Sequence, residues 1–350
     1  MKKKIVILTI ILIVLIGVYF LVSNTDEIKL KNAGYNKKEI KLILSSVEEK
    51  DYELFLNYDK SLIDIISSKN YKEKNFKKYI EYYQKNKKSN IDDIITIVNS
   101  KYDLKDYPAS SLLASLTIEK YYIYENTARY LDYANENKKS AKETIKIVNA
   151  NADKPFYSET HESNLNDDNL ILVNKYYHLN EDYEPNDLTV LPSNYNKGLN
   201  SSMRKEAKEA FIEMANAALL DNITIKNASA YRNYTYQKDL YDKYVKKDGK
   251  EKADIYSARP GYSEHQTGLC TDINTVDSSF DNTKESNWLK KNAYKYGFIL
   301  RFPKDKENIT GYKYESWHYR YVGKKASKII KENDLTLEEY YAYYVEKRNR

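Results

Sequence analysis

The segment SEHQTGLCTDIN, residues 263–274, brings a histidine, an aspartate and the chain's only cysteine together. The whole sequence holds four histidines, so His265 placed seven positions before Asp272 calls for a reason. A second histidine stands in YESWHYRYVG, where Glu315 and His318 flank Trp317. Two imidazoles and one carboxylate are enough to hold a catalytic zinc, which takes three protein ligands and leaves a fourth position for water. The extra carboxylate, Glu315, then has a task, because beside such a metal it can take and return a proton. Each string read separately is as readily a hydrogen-bonded polar loop; their conjunction with glycine-rich turns points to metal-assisted hydrolysis. His161 and His178 match no ligand pattern and read as ordinary polar positions.

The elements around these strings must bend the chain to converge them. Seven is an odd offset, so on a straight strand His265 and Asp272 would face opposite ways, and Gly268 offers the bend. Six of the nine glycines lie in this part of the chain: Gly249, Gly261, Gly268, Gly297, Gly311 and Gly323. Short strand-like runs, ILVN, ITIKNASAY and GFILRF, alternate here with helical patterns. A helix from about Met203 to Leu219 presents Ala207, Ala210, Phe211, Met214, Ala217 and Ala218 on one face, and Tyr236–Tyr244 reads as another. Thr336 with Glu339 makes a capping box for the last helix. Mixed helices and short strands predict an α+β domain over 165–350.

Upstream, 26–155 reads as all-helical. Ile40, Ile43, Leu44 and Val47 form one apolar stripe, Phe76, Tyr79, Ile80 and Tyr83 a second, and Ile91, Ile94, Ile95 and Val98 a third, so these helices should pack as a small bundle. KYIEYYQKNKKSNIDDIITIVN (78–99) aligns with RYLDYANENKKSAKETIKIVN (129–149), which predicts a two-copy helical module over about 71–99 and 122–149. Such a module is a spacer that packs against an enzyme, or a binder of wall glycan or protein.

The chain opens with MKKK and an uncharged apolar run, 5–22. As a helix that run would be about 27 Å long, close to the hydrocarbon thickness of a bilayer. It ends in Tyr19, Phe20, Leu21 and Val22 rather than in the small residues of a cleavage site, so an uncleaved single-pass anchor is expected, with a cytoplasmic stub at 1–4 and everything after Ser23 outside the cytoplasm. One cysteine excludes an intramolecular disulfide. Removing the three lysines of the stub from the formal charge of +6 leaves +3, too mild a charge to argue for nucleic acid.

The ordered motifs from about residue 170 onward, LILVNKYYHLNEDYEPNDL, SAYRNYTYQ, YSARPGYSEHQTGLCTDIN, YGFILRFPKDKENITGYKYESWHYRYVG and TLEEY, resemble VanY-like D-alanyl-D-alanine carboxypeptidases. These are LAS zinc metallopeptidases with the hedgehog/DD-peptidase fold. The resemblance implies a catalytic domain with a small antiparallel sheet and flanking helices, and Zn2+ as cofactor. It implies His265, Asp272 and His318 as ligands, Glu315 as catalytic base, and Arg232, Gln237 and Ser263 as substrate-binding residues. Asn233 stands at the family's usual serine position. Relatives generally carry a small apolar residue at Cys270; here packing into the core is expected, with a rearranged metal site as the alternative. The implied substrate is a peptidoglycan stem peptide losing its terminal D-alanine, and the protein is expected to be a membrane-anchored monomer. The rival readings are an L,D-carboxypeptidase, an endopeptidase on the same peptides, and a wall-binding protein without activity.

Overall fold

The computed structural model describes residues 25–198 and 200–346. The predicted stub and anchor, 1–4 and 5–22, lie outside the described residues. Among those residues no helix is long and apolar enough to cross a membrane. The chain forms two compact units, one holding residues up to 127 with 140–142, the other 128–139 and everything from 143 onward.

The first unit contains α1 (Asp26–Asn32), α2 (Lys37–Ser46), α3 (Lys60–Ser67), α4 (Phe76–Lys85), α5 (Ile91–Asn99) and α6 (Ser111–Thr117). Side-chain caps start several of them. Asn36 and Glu39 form a capping box at α2, and Asp59, Asn90 and Ser110 accept from backbone N–H groups at the starts of α3, α5 and α6, which satisfies donors a helix cannot pair internally. The apolar stripes are largely buried: Ile40, Ile43, Phe55, Ile66, Phe76 and Ile80 share one cluster, while Ile65, Tyr79 and Ile95 form another. Leu44 is the exception, exposed at the rim of its stripe.

The two aligned segments build the same local structure. Each has a short 3-10 turn leading into a helix, a break, and a second helix: Glu73–Asn75, α4 and α5 in one, and Tyr124–Asn126, α7 (Thr127–Asn137) and α8 (Ala141–Asn149) in the other. In the first, the Tyr79 hydroxyl donates to Asn99 Oδ1 at 2.6 Å, and Asn86 Nδ2 donates to the Tyr82 carbonyl at 2.9 Å. In the second, Tyr130 donates to Asn149, and Asn137 Nδ2 to the Tyr133 carbonyl at 3.0 Å. Nearly all of α7 and α8 belongs to the second unit, where Ile147 and Ala150 pack with Ile309.

The second unit is α+β. Two small ribbons, β1 (His161–Glu162) with β2 (Tyr177–His178) and β3 (Leu188–Val190) with β4 (Ser202–Arg204), precede the central sheet. That sheet contains β5 (Asn227–Ser229), β6 (Cys270–Ile273), β7 (Phe298–Leu300) and β8 (His318–Tyr321) in the order β5-β6-β8-β7, with every pair antiparallel. Helix α9 (Lys205–Leu220) lays Ala207, Ala210, Phe211, Met214 and Ala218 onto the sheet's core with Leu269, Ile273, Phe298 and Tyr319. The run ILVN is buried but forms no strand, and Met203 belongs to β4 rather than to the helix after it. Thr336 and Glu339 do form the capping box. The strands are short because the sheet is small: its residues are held by helices on the core face and by the site on the other.

Candidate active site

Pairing of β6 with β8 sets the centre of the site. Its register puts Asp272 directly opposite His318, although 46 residues separate them in sequence. Alternation along β6 then assigns its faces. Leu269 and Ile273 enter the apolar core, so Cys270 and Asp272 face the other way, onto His318.

His265 arrives by a different route. Glu264–Thr267 is a 3-10 turn closed by Gly268 in the left-handed region at φ 67°. A Cβ added to Gly268 would meet Leu188 Cδ2 at 2.8 Å as well as the strained torsion. The bend that seven residues demanded is therefore real, and only glycine makes it cheaply. Gly268→Ala is expected to lower unfolding free energy by roughly 1–3 kcal/mol and to loosen His265, seen as a lower denaturant midpoint together with faster loss of metal to chelator.

The donor atoms converge at ligand spacing. His265 Nε2 lies 3.4 Å from Asp272 Oδ2, and His318 Nδ1 lies 3.1 Å from Asp272 Oδ1. Ligands held at about 2.0–2.1 Å in a tetrahedron stand about 3.3 Å apart. His265 Nδ1 is fixed by the Ala230 carbonyl at 2.6 Å, which leaves Nε2 buried without a hydrogen-bond partner and aimed inward. A backbone acceptor on the far nitrogen is the usual way to orient a ligating imidazole. Burial alone would raise the Asp272 carboxyl, but His265 and His318 hold it well below the usual range. An anion, one imidazole oriented by a backbone carbonyl, a second imidazole opposite the anion and an orphaned buried nitrogen fit a zinc ion.

Glu315 reaches the same point from a turn. Its N–H donates to the Phe302 carbonyl at 3.1 Å, and the Ser316 hydroxyl donates to Asp281 Oδ1 at 2.7 Å. Glu315 Oε2 stands 3.7 Å from His318 Nδ1. Burial pushes the Glu315 carboxyl up to about 7, with the Asp272 charge adding to the rise and the positive groups of His318, His265 and Arg232 opposing it.

One cavity of about 450 Å³ is lined by Arg232, Gln237, Ser263, His265, Asp272, Glu315, Trp317 and His318. The structure thus gathers every predicted site residue in one place. Arg232 follows β5, its N–H tied to the His265 carbonyl at 3.2 Å, its guanidinium 3.9 Å from Asp272 and its buried Nε without a partner. Gln237 sits on α10 (Tyr234–Asp248), whose N-cap is Asn233; Asn233 Oδ1 accepts from Tyr236 N at 2.9 Å. Asparagine is among the residues that cap a helix start best. Gln237 Nε2 donates to Ala258 O at 2.8 Å and leaves Oε1 buried and free of hydrogen bonds.

One residue departs from its first expectation toward the stated alternative, and one network escaped the sequence reading. Cys270 is buried, but on the face of Asp272 rather than in the apolar core where it was expected; its sulfur and the His265 and His318 nitrogens all lie within 4.8 Å of one another. Beneath the site runs a buried ion network. Glu264 Oε1 accepts from Arg301 Nε and Arg320 Nη1, each at 2.8 Å, and Arg301 also grips Glu338 at 3.0 and 2.5 Å. Glu264 Oε2 is left 3.6 Å from His318 Nε2. The available signal was a charge inside each of the apolar runs GFILRF and YRYVG, since a charge in a buried strand needs a partner.

A family profile described as VanY, D-alanyl-D-alanine carboxypeptidase, matches residues 200–324. YodJ of Bacillus subtilis (strain 168), which bears a carboxypeptidase name, is 46% identical over 181 residues, 49% of this chain and 66% of that protein. The bifunctional D-Ala-D-Ala dipeptidase and D-Ala-D-Ala carboxypeptidase VanXYC of Enterococcus gallinarum is 33% identical over 50% of this chain and 94% of its own length. Among solved structures, the LdcB LD-carboxypeptidase is 44% identical, with a TM-score of 0.50 over 53% of this chain and 91% of that one. The chain spans less than two thirds of the length of some curated relatives, 59% for a D-alanyl-D-alanine carboxypeptidase of Enterococcus faecium.

Proposed function

Because the chain belongs to the VanY family of D-alanyl-D-alanine carboxypeptidases, we propose that it is a zinc carboxypeptidase removing the terminal D-alanine of peptidoglycan stem peptides. The observation that carries this reading is the convergence of His265, Asp272, His318 and Glu315 on one buried point beside Arg232. His265 Nε2, Asp272 and His318 Nδ1 would hold the ion, which when bound supplies Lewis-acid polarisation of the scissile carbonyl. Glu315 takes a proton from the attacking water and delivers it to the departing amine. Arg232 grips the terminal carboxylate, its planar fork offering two charge-assisted hydrogen bonds. Ser263 and the free Oε1 of Gln237 orient the peptide.

Replacing Arg232 with lysine keeps the charge and loses the fork. Its KM for stem peptide is expected to rise at least tenfold, with a smaller change in kcat, in steady-state assays of D-alanine release; an unchanged KM would remove Arg232 from carboxylate binding.

The similarity to an LD-carboxypeptidase at 44% identity favours a second reading, in which the tetrapeptide rather than the pentapeptide is cut. Both readings release D-alanine and use the same groups; they differ in the stereocentre on the other side of the bond. Zinc-loaded protein incubated with defined muropeptides separates them by mass spectrometry. Conversion of pentapeptide to tetrapeptide is the expected product of D,D activity. Tetrapeptide to tripeptide is that of L,D activity, and cleavage of crosslinked dimers alone that of an endopeptidase. The apolar run 5–22 with its preceding lysines supports a single-pass anchor that keeps this site outside the cytoplasm, and the helical repeat reads as the spacer between anchor and enzyme.

A further inference from the structure

We propose that Cys270 is a fourth protein donor to the metal, so that this chain offers two histidines, an aspartate and a thiolate. The inference rests on the metal-centre reading above and adds a ligand to it. Three observations converge. Strand alternation turns Cys270 to the side of Asp272, away from Leu269 and Ile273, which fill the apolar core. The Cys270 sulfur and one nitrogen each of His265 and His318 form a single buried group of donor atoms within 4.8 Å of one another. His265 is 2% exposed, its Nδ1 is held by the Ala230 carbonyl, and its Nε2 is buried without a hydrogen-bond partner, 3.4 Å from Asp272 Oδ2.

A thiol serving only as a small apolar filler belongs against apolar walls. Here the sulfur has one nitrogen each of His265 and His318 within 4.8 Å, and it shares a strand face with Asp272. With metal–nitrogen distances of about 2.0–2.1 Å and a metal–sulfur distance of about 2.3 Å, the sulfur needs to stand about 3.5 Å from each nitrogen. The observed donors lie within 4.8 Å of one another, so binding would draw the three side chains together. Zinc accepts thiolate readily, and four protein donors are the complement of a closed site. Cys270 then strengthens metal retention and competes with water for the position that hydrolysis needs, which makes it a brake on turnover.

Cobalt(II) substitution of the purified full-length chain tests this without relying on activity. The wild type is expected to show visible ligand-field bands of an occupied site together with a near-ultraviolet thiolate-to-cobalt charge-transfer band, which only Cys270 can supply. Cys270→Ala and Cys270→Ser are expected to keep the ligand-field bands, lose the charge-transfer band and release metal to chelator about tenfold faster or more. Ligand-field bands in the wild type without charge transfer overturn the fourth-donor assignment and leave the three-ligand reading standing. Absence of both bands at saturating cobalt overturns the metal centre itself and the assignment with it.

Discussion

Glu315→Gln is expected to lower turnover of stem peptides by roughly 10²–10⁴-fold, the range a positioned general base contributes, while zinc content stays at one per chain. The reason lies in what Glu315 touches. It stands 3.7 Å from His318 Nδ1 yet belongs to none of the proposed donors, His265, Asp272, His318 and Cys270. A carboxamide of the same shape keeps the contacts and loses the proton acceptor. The pH profile gives the same prediction another readout. Burial raises the Glu315 carboxyl to about 7, and a bound cation adds to the charges pulling it down. The base form is the carboxylate, so activity should rise with pH along a limb whose midpoint lies at or below about 7, and the glutamine variant's residual activity should lack that limb. A variant that hydrolyses at the wild-type rate would remove Glu315 from catalysis. Stoichiometric zinc in the wild type with no cleavage of any stem peptide would instead favour a binding protein built on a peptidase fold.

The second large effect concerns the support under the site. Arg301 is fully buried between Glu264 and Glu338. Arg301→Met should lower stability by about 3–5 kcal/mol, because removing one partner leaves buried carboxylates uncompensated. For a unit of this size that corresponds to a fall in Tm of roughly 10 °C by calorimetry. Arg320 remains on Glu264, so the loss should register most at Glu338, whose other partner is Asn174 Nδ2 at 3.2 Å. Burial opposes ionisation of Glu264, but Arg301 and Arg320 hold its carboxyl well below the usual range. Its folded pKa is depressed, so its contribution is complete above an unfolded value of about 4.3 and disappears as pH falls toward the folded value. The variant should accordingly lose less stability on acidification than the wild type does. Equal melting temperatures for the two proteins at neutral pH would show that the network is not part of the fold's stability.

The network also explains why the C-terminal helix matters to a site it does not enter. Glu338 lies within the Thr336–Glu339 capping box and reaches Arg301 next to β7; Arg301 holds Glu264, and Glu264 backs His318. Arg320 ties the same carboxylate to the Asn169 and Ile171 carbonyls, which is how the run ILVN is held although it forms no strand. Three stretches far apart in sequence thus meet behind His318.

What the sequence determined by itself was whatever depends on residue type and near neighbours. The two histidines, the aspartate and the glutamate that the fold gathers in one cavity stood out in two short strings. The bend at Gly268 was legible from an odd offset and the Thr336 cap from a four-residue pattern, because torsion preferences and capping bonds act within a few residues. Only the tertiary structure decided what depends on pairing over long separations. The β6–β8 register opposes Asp272 to His318 and thereby turns Cys270 toward the imidazoles. Burial makes partners of Glu264, Arg301, Arg320 and Glu338, and the second helical copy joins the unit that holds the sheet. Strand register and desolvation are properties of neighbours brought by the rest of the chain, and no local window contains them.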